Sequence, residues 1–125
     1  MPTTDHRAAT ERIVHWFETL SPESLATIDG CYTDDATFKD PFNEVRGVPA
    51  IQGIFRHMFQ ALDEPRFIVT GRLNDGNQCF LIWEFLFRFK RFDTPTPQTV
   101  RGGSHLVLAD DGRIGFDPQG RPRTA

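Results

Sequence analysis

Cysteine is scarce in this sequence, and its two cysteines stand far apart. Cys31 and Cys79 form no Cys-x-x-Cys pair, which argues against a disulfide framework, a zinc site or a redox pair. We therefore expect two buried, reduced thiols. No two His, Asp, Glu or Cys residues have metal-ligand spacing on one predicted element, and no glycine-rich loop precedes a helix as phosphate binding requires. The sequence predicts neither a metal nor a cofactor.

Strong charge and long apolar runs are also lacking. The formal net charge of the 125 residues is -3, so no basic field attracts nucleic acid or an anionic membrane surface. The first ten residues have no apolar core of the kind a signal peptide needs, and no apolar run approaches a membrane span. These features predict a soluble, cytoplasmic protein that binds neither nucleic acid nor membrane.

Phenylalanine, by contrast, is abundant. It occurs twelve times, against one tyrosine and two tryptophans, and its side chain fills space without requiring a hydrogen bond. A chain of this length forms one domain that buries roughly two-thirds of the surface that its unfolded form exposes. We therefore expect a large apolar interior or an apolar pocket.

Three helices are predicted in the first half of the chain. Asp5 is a suitable N-cap for an amphipathic helix, after which apolar residues recur at helical spacing. Ser21-Pro22-Glu23 has the cap, proline and acid that start a second, short helix, which ends near Gly30. The third helix follows Gly47 and ends at Asp63-Glu64-Pro65.

The apolar period then changes to two, which predicts strands. Residues 67–73 follow this period of two, residues 74–77 supply a hairpin turn, and the returning strand runs from Cys79 to Phe92. A further strand is predicted from about Gln98 to Ala109, and a last strand begins within Arg113–Phe116. Helices followed by antiparallel strands indicate an α+β domain, with the helices packed on one face of a curved sheet.

The predicted domain spans residues 1–117, and the Pro- and Gly-containing residues 118–125 are expected to form a disordered tail. Within the domain, the strand from Cys79 to Phe89 is apolar on both faces. In a strand with one face in water, apolar and polar residues alternate instead. We therefore expect helices to cover one face of this strand and a second subunit to cover the other.

Polar or small residues inside the strands need an explanation. Glu84 lies within the most apolar strand, and either Arg88 on the same face or Arg101 on the next strand can form an ion pair with it. The pair Gly102-Gly103 predicts a bend or bulge.

Two histidines fall on the polar flanks of their helices and are expected to be solvated: His15 and His57.

Asp40 is the acid with the most distinctive setting. It follows a short strand-like segment, and Pro41 excludes helical geometry at Asp40 and thereby fixes the direction of its carboxylate. If the carboxylate faces an apolar cavity, poor solvation raises its proton affinity, which suits a general base. The alternative is an aspartate that ends a strand and only hydrogen-bonds backbone amides. Both interpretations stay open.

The sequence resembles the nuclear transport factor 2-like (NTF2-like) superfamily and, within it, the SnoaL-like and ketosteroid isomerase-like proteins. The resemblance rests on Tyr-x-Asp-Asp-Ala-x-Phe-x-Asp-Pro at residues 32–41, on Arg46-Gly47 before the third helix, and on residues 105–114. It implies a cone, in which a mainly antiparallel sheet encloses an apolar cavity closed by helices, and a homodimer through the outer sheet face. The superfamily includes isomerases, cyclases, epoxide hydrolases and domains without chemistry.

The resemblance also implies candidate catalytic residues. In ketosteroid isomerases the aspartate of this Asp-Pro pair is the general base, which assigns that role to Asp40. An enolate needs donors aimed at its oxygen, and the matching positions hold Trp16 and Ser104, which are weaker donors than the tyrosine and the protonated aspartate that they replace. Tyr32 matches a family tyrosine, and Phe55 replaces a supporting one.

His105 alternates with Ser104 along its strand. If Ser104 faces the cavity, His105 faces the subunit interface; in the reverse register, His105 becomes the acid-base partner of Asp40.

The family pattern continues after Ile114 with a final strand and an acid-bearing segment, from which residues 115–120 depart. The side chains expected to line the ligand cavity are aromatic or aliphatic: Phe17, Phe55, Phe59, Trp83, Phe85 and Leu106.

Two functions follow from the sequence. The first is a cavity that binds a small hydrophobic molecule, with cofactor-independent, isomerase-like or cyclase-like proton transfer by Asp40. The second is a non-catalytic ligand-binding or dimerisation module of the same fold. The many phenylalanines and the missing donors favour binding, whereas the retained Tyr32 and Asp40 favour chemistry.

Overall fold

A computed structural model describes residues 6–39, 44–91 and 95–115 of the chain. Its architecture is α+β, as predicted. The proposed N-cap Asp5, the candidate base Asp40 and the tail 118–125 all lie outside the described residues. The elements, in chain order, are α1 (His6–Glu18), a 3₁₀ helix (Ser24–Gly30), β1 (Thr37–Lys39), β2 (Glu44–Arg46), α2 (Val48–Ala61), β3 (Leu62–Asp75), β4 (Gln78–Phe89) and β5 (Gln98–Val107).

Two antiparallel sheets are formed by the described strands. Strands β1 and β2 make a two-stranded sheet, and β3, β4 and β5 make a three-stranded sheet with β4 in the middle. The predicted hairpin between β3 and β4 is confirmed. Gly76, in its turn, adopts φ +58°, a left-handed conformation that glycine tolerates without steric cost.

The junction between α2 and β3 is tighter than predicted. The third helix, predicted to end at Asp63-Glu64-Pro65, ends at Ala61, and β3 begins directly at Leu62, earlier than the strand predicted from residue 67. The irregularity lies inside the strand instead: the register with β4 shifts between Asp63 and Arg66, and Glu64 adopts φ +50°. Pro65 falls in this shift, where a missing N–H interrupts no regular ladder bond.

A second irregularity in β3 anchors helix α1. The register shifts between Val69 and Gly71, which leaves one extra residue on β3 and bends the strand. The backbone N–H of Val69 donates a hydrogen bond of 2.9 Å to Oε2 of Glu18, at the end of α1. A side chain from the helix therefore satisfies a backbone group at the bend and ties α1 to the sheet.

Strand β5 is regular through its two glycines. Its pairing with β4 is continuous from Gln78↔Val107 to Phe87↔Gln98, so the predicted bend or bulge at Gly102-Gly103 is wrong. A Cβ atom at Gly102 would lie 2.6 Å from Cη2 of Trp83, and one at Gly103 would lie 2.7 Å from Cζ of Phe80. Each glycine thus leaves room for an aromatic ring, on opposite faces of the strand.

The core lies between the helices and the inner face of the three-stranded sheet. Both cysteines are buried in it as free thiols, as predicted, and burial raises the pKa of Cys31 to about 12. No helix within the described residues is long and apolar enough to cross a membrane. Fully or almost fully buried side chains include Ala9, Ile13, Ile28, Tyr32, Ile51, Leu81, Leu106 and Ile114.

The outer face of the same sheet carries the predicted partner of Glu84. Oε2 of Glu84 accepts a hydrogen bond of 3.2 Å from Nε of Arg101, its register partner on β5. Arg88, the other candidate, pairs with Glu64 at 3.1 Å. The ion pair expected for Glu84 is therefore confirmed, with Arg101.

Candidate functional site

An apolar cavity of about 420 Å³ lies between α2, the end of α1, strand β1 and the inner face of the three-stranded sheet. Most of the side chains that line it are aliphatic or aromatic. The polar side chains among the described lining residues are Tyr32, His57, Ser104 and, through its indole N–H, Trp83. None of the described lining residues is Asp, Glu, Lys or Arg.

Five of the six predicted ligand-contacting side chains line this cavity: Phe17, Phe55, Trp83, Phe85 and Leu106. Phe59 is not among the described lining residues and packs against the core beside the cavity. The reason is the helical period, because the cavity-facing stripe of α2 runs through Ile54, Met58 and Ala61, and Phe59 lies past its edge.

Tyr32 lies in the lining with an unpaired hydroxyl. Its side chain is completely buried, and its hydroxyl has no hydrogen-bond partner among the described residues. Burial, with a smaller contribution from Cys31, raises the pKa of Tyr32 well above its ordinary value. The backbone holds the residue in place, since its N–H donates to the carbonyl of Ile28 and it bridges to Ile114. Tyr32 is therefore a fixed, neutral hydroxyl.

Ser104 and Trp83 form the second polar feature of the lining. The indole N–H of Trp83 donates a hydrogen bond of 3.0 Å to Oγ of Ser104. The ring reaches across Gly102, whose lack of a side chain leaves space for it. Because the serine oxygen accepts this bond, the hydroxyl hydrogen of Ser104 is available to another acceptor.

Trp16 does not supply the donor that the resemblance implied. Its indole N–H donates to Oγ1 of Thr27 at 3.1 Å, and Trp16 is not among the described residues that line the cavity. The ring instead packs edge-on against Phe17 and Phe55. Successive helical residues point about 100° apart, and Phe17 takes the cavity-facing direction.

His105 lies on the outer face of the sheet. Ser104 lines the cavity, so its strand neighbour points the opposite way. Nε2 of His105 is 2.9 Å from Oε1 of Gln78, and both residues belong to a shallow surface recess beside Phe80. The register that would have made His105 an acid-base partner of Asp40 inside the cavity is therefore wrong.

His57 is a lining residue that the sequence reading missed. It was expected to be solvated, and its side chain is indeed exposed, yet it also lies in the cavity lining. A signal was present in the sequence, since His57 is three residues after Ile54 and four before Ala61, at helical contact spacing. His57 thus places an imidazole ring at the solvent-facing side of the cavity.

Asp40 lies outside the described residues, as do residues 41–43. Strand β1 ends at Lys39, immediately before Asp40, and Phe38 on this strand lines the cavity. The catalytic role of Asp40 therefore stays a prediction. The described residues contain no group of three or more His, Cys, Asp or Glu side chains arranged to hold a metal ion.

Solved structures with the same fold carry different functional descriptions. An NTF2-like protein of unknown function from Exiguobacterium sp. 255-15 is 19% identical with a TM-score of 0.69, over 85% of this chain and 91% of that one. An LEH-like epoxide hydrolase from M. tuberculosis is 18% identical with a TM-score of 0.68, over 90% of this chain and 74% of that one.

A third similar structure, described as a SnoaL-like polyketide cyclase from Shewanella putrefaciens CN-32, is 17% identical with a TM-score of 0.68. The match covers 91% of this chain and 85% of that one. At these identities the likeness establishes the fold alone. No functionally curated protein matches the sequence. Residues 13–115 match the sequence profile of the SnoaL-like domain, and the chain therefore belongs to the SnoaL-like domain family.

Proposed function

We propose that the cavity binds a small hydrophobic molecule. The observation that carries this proposal is an apolar space of about 420 Å³ bounded by aromatic and aliphatic side chains. Ligand sites commonly measure about 300–1,000 Å³ and have mostly apolar linings with a few polar groups. An interior filled by its own phenylalanines would leave no such space.

A thermal-shift screen with apolar ring compounds tests this proposal. A compound that binds only the folded protein raises its Tm, by an amount that grows with concentration above Kd. Ala61→Trp, which narrows the cavity, should reduce the shift, and Gln60→Trp on the exposed side of α2 is the matched control. No shift with any compound would contradict the proposal.

A second candidate activity, proton transfer with Asp40 as the base, is favoured by the polar groups of the same cavity. Tyr32 has an unpaired hydroxyl, and the hydroxyl of Ser104 accepts a hydrogen bond from Trp83 and can still donate one, in a lining where hydrogen bonds are poorly screened. Phe38, two residues before Asp40, lines the cavity. The similar structures include proteins described as a polyketide cyclase and an epoxide hydrolase.

Mixing the protein with a β,γ-unsaturated ketone and following the conjugated enone by ultraviolet absorbance tests this activity. Loss of a general base should lower the rate about 100-fold or more in Asp40→Asn. The matched control is Asp35→Asn, since Asp35 is exposed and accepts a hydrogen bond from Thr33. A rate no higher than in buffer favours the non-catalytic ligand-binding module, and equal rates for Asp40→Asn and the unmodified protein would remove Asp40 as the base.

We also propose that the protein is a homodimer through the outer face of the three-stranded sheet. Phe80 and Ile82 on β4 are 40% and 45% exposed there, and Leu73 on the neighbouring strand is more exposed still. Contiguous exposed apolar side chains mark interaction surfaces. A second copy of this chain, packed on the same patch, covers both patches at once by two-fold symmetry.

A further inference from the structure

A second, smaller pocket lies between α1, the 3₁₀ helix and the turn at residues 110–113. Its volume is about 220 Å³, and it shares no described lining residue with the apolar cavity. None of its described lining residues belongs to the three-stranded sheet, so a dimer through the outer face of that sheet does not use it. The lining combines apolar side chains with charged ones: Ala9, Ile13 and Trp16 with Arg12, Asp111 and Arg113.

Arg12 brings an unpaired guanidinium group to this pocket. The side chain is exposed and forms no hydrogen bond or ion pair with another described residue. A Cβ atom at Gly112 would lie 3.0 Å from Nη2 of Arg12, so the guanidinium lies against the backbone of the turn. A guanidinium presents its N–H donors as a planar fork that fits a carboxylate. The fork of Arg12 is therefore available to an anion from outside the chain.

The second arginine of the lining, Arg113, is already fixed. Its Nε donates to Oδ2 of Asp111 at 2.7 Å, and its Nη1 donates to the backbone carbonyl of Asp29 at 3.0 Å. The backbone hydrogen bond from Arg113, with a smaller contribution from its side chain, lowers the pKa of Asp111. The only carboxylate in the described lining is thus ionised and paired, and two arginines against one aspartate leave a formal charge of +1.

The remaining side of the pocket is apolar. Ala9 and Ile13 belong to the buried stripe of α1, and Trp16 follows Ile13 on the same helix. The indole N–H of Trp16 is bonded to Oγ1 of Thr27 at 3.1 Å, so the ring adds apolar surface to the lining and not a free donor. An apolar surface therefore stands beside an unpaired positive charge.

We propose that this pocket is a second binding site for a small planar carboxylate, which pairs with Arg12 and packs its apolar body against Trp16 and Ile13. An inorganic anion such as phosphate would leave the apolar surface uncovered, and a neutral apolar molecule would leave the guanidinium without a partner. The volume of about 220 Å³ lies below the range of about 300–1,000 Å³ of common ligand sites, which restricts the ligand to a single ring.

Titration of the full chain with benzoate, followed through the two indole ¹H–¹⁵N resonances, tests the proposal. Trp16 borders the second pocket and Trp83 borders the apolar cavity, and Trp16→Phe assigns the two signals. Benzoate should move the resonance of Trp16 saturably and leave that of Trp83 in place. Benzamide, which has the ring without the charge, and inorganic phosphate should each bind at least about tenfold more weakly at the same ionic strength.

Two matched pairs of variants locate the site. Arg12→Gln should weaken benzoate binding at least about tenfold, whereas Arg7→Gln removes the same charge from α1 outside the described lining and should not. A Cβ atom at Gly30 or at Gly53 would meet no atom within 4 Å, but only Gly30 lines the pocket. Gly30→Leu should therefore weaken benzoate binding, and Gly53→Leu should leave it unchanged.

The same measurements can overturn the proposal. A shift of Trp83 alone would assign benzoate to the apolar cavity instead. Absence of a saturable shift at Trp16, equal affinities for benzoate and benzamide, or unchanged affinity in both Arg12→Gln and Gly30→Leu would also contradict the second site. Because the two pockets share no described lining residue, any of these results leaves the ligand-binding function proposed for the apolar cavity to its own test.

Discussion

The two faces of the three-stranded sheet are built from the same strands yet have different surroundings. On the inner face, Trp83 lies over Gly102 and its indole is tied to Ser104 beside a cavity. On the outer face, Phe80 lies over Gly103, and its ring stays exposed. The comparison shows that apolar composition alone does not make a cavity. The helices that cover one face, and leave a space against it, make the difference.

The largest expected effect concerns the outer face. Ile82→Glu places a charge in the proposed dimer interface, where burial without a partner is costly, and should weaken dimerisation at least about 100-fold. Light scattering coupled to size-exclusion chromatography at micromolar concentration measures it. Gln60→Glu, an exposed position on α2, should leave the mass unchanged. A monomeric mass for the unmodified protein would contradict the proposed dimer.

The next effect contrasts two neighbouring residues that point to opposite faces. Leu81 is 2% exposed and lines the cavity, whereas Ile82 is 45% exposed. Leu81→Ala should lower the free energy of unfolding by about 2–5 kcal/mol. At protein concentrations low enough for both proteins to be monomeric, Ile82→Ala should change it by less than about 0.5 kcal/mol. Urea denaturation monitored by circular dichroism gives both values, and similar values for the two positions would remove the contrast between the faces.

Alkaline pH should destabilise the core that lies between the helices and the inner face. Burial raises the pKa of Tyr32 above its usual 10.0 and that of Cys31 from 9.0 to about 12. Both groups release their protons more readily when unfolded, so the free energy of unfolding should be undiminished below about pH 9 and fall as the pH rises toward 12. Denaturation at several pH values measures this slope.

Tyr32 can be followed separately, because it is the only tyrosine in the sequence. Absorbance at 295 nm should show no phenolate in the folded protein at pH 10.5, whereas the urea-unfolded chain should be mostly ionised at that pH. Equal ionisation of the folded and unfolded forms would show that the hydroxyl of Tyr32 is accessible to water.

The smallest effect belongs to the outer-face ion pair. Arg101→Ala removes the partner of Glu84, but the arginine is largely exposed, and exposed pairs contribute only about 0–1 kcal/mol. We expect a loss of less than about 1 kcal/mol in the free energy of unfolding, further reduced in 0.5 M salt. A larger loss in the dimer than in the Ile82→Glu variant would indicate that the pair lies in the interface.

Much of the fold could be predicted because its signals are local. Helical spacing predicted α1 and α2, alternation and the turn at Gly76 predicted the β3–β4 hairpin, and Ser21, whose hydroxyl accepts the N–H of Ser24, marked the start of the 3₁₀ helix. Local signals failed where side chains from another strand decide the local structure. Gly102-Gly103 resembled a bend because the sequence does not show that two rings lie over these glycines.

The candidate site was predictable in part. Most of the predicted lining residues face the cavity, because large apolar side chains on predicted elements usually face the interior. Trp16 was misassigned because a resemblance transfers a position and not the direction of a side chain. His57 was missed because an exposed flank of a helix can still border a cavity once the sheet is packed beside it.

The sequence by itself determined the order of the elements, their apolar faces and the family, since hydrophobic period and turn residues act within a few residues of one another. The tertiary structure decided which of Ser104 and His105 enters the cavity. The side-chain period of a strand is two, so the pairing of β5 with β4 assigns one residue to each face, and a slip by one residue would exchange them. The tertiary structure also decided that the hydroxyl of Tyr32 has no partner among the described residues, because hydrogen bonding of this group depends on elements far apart in the chain.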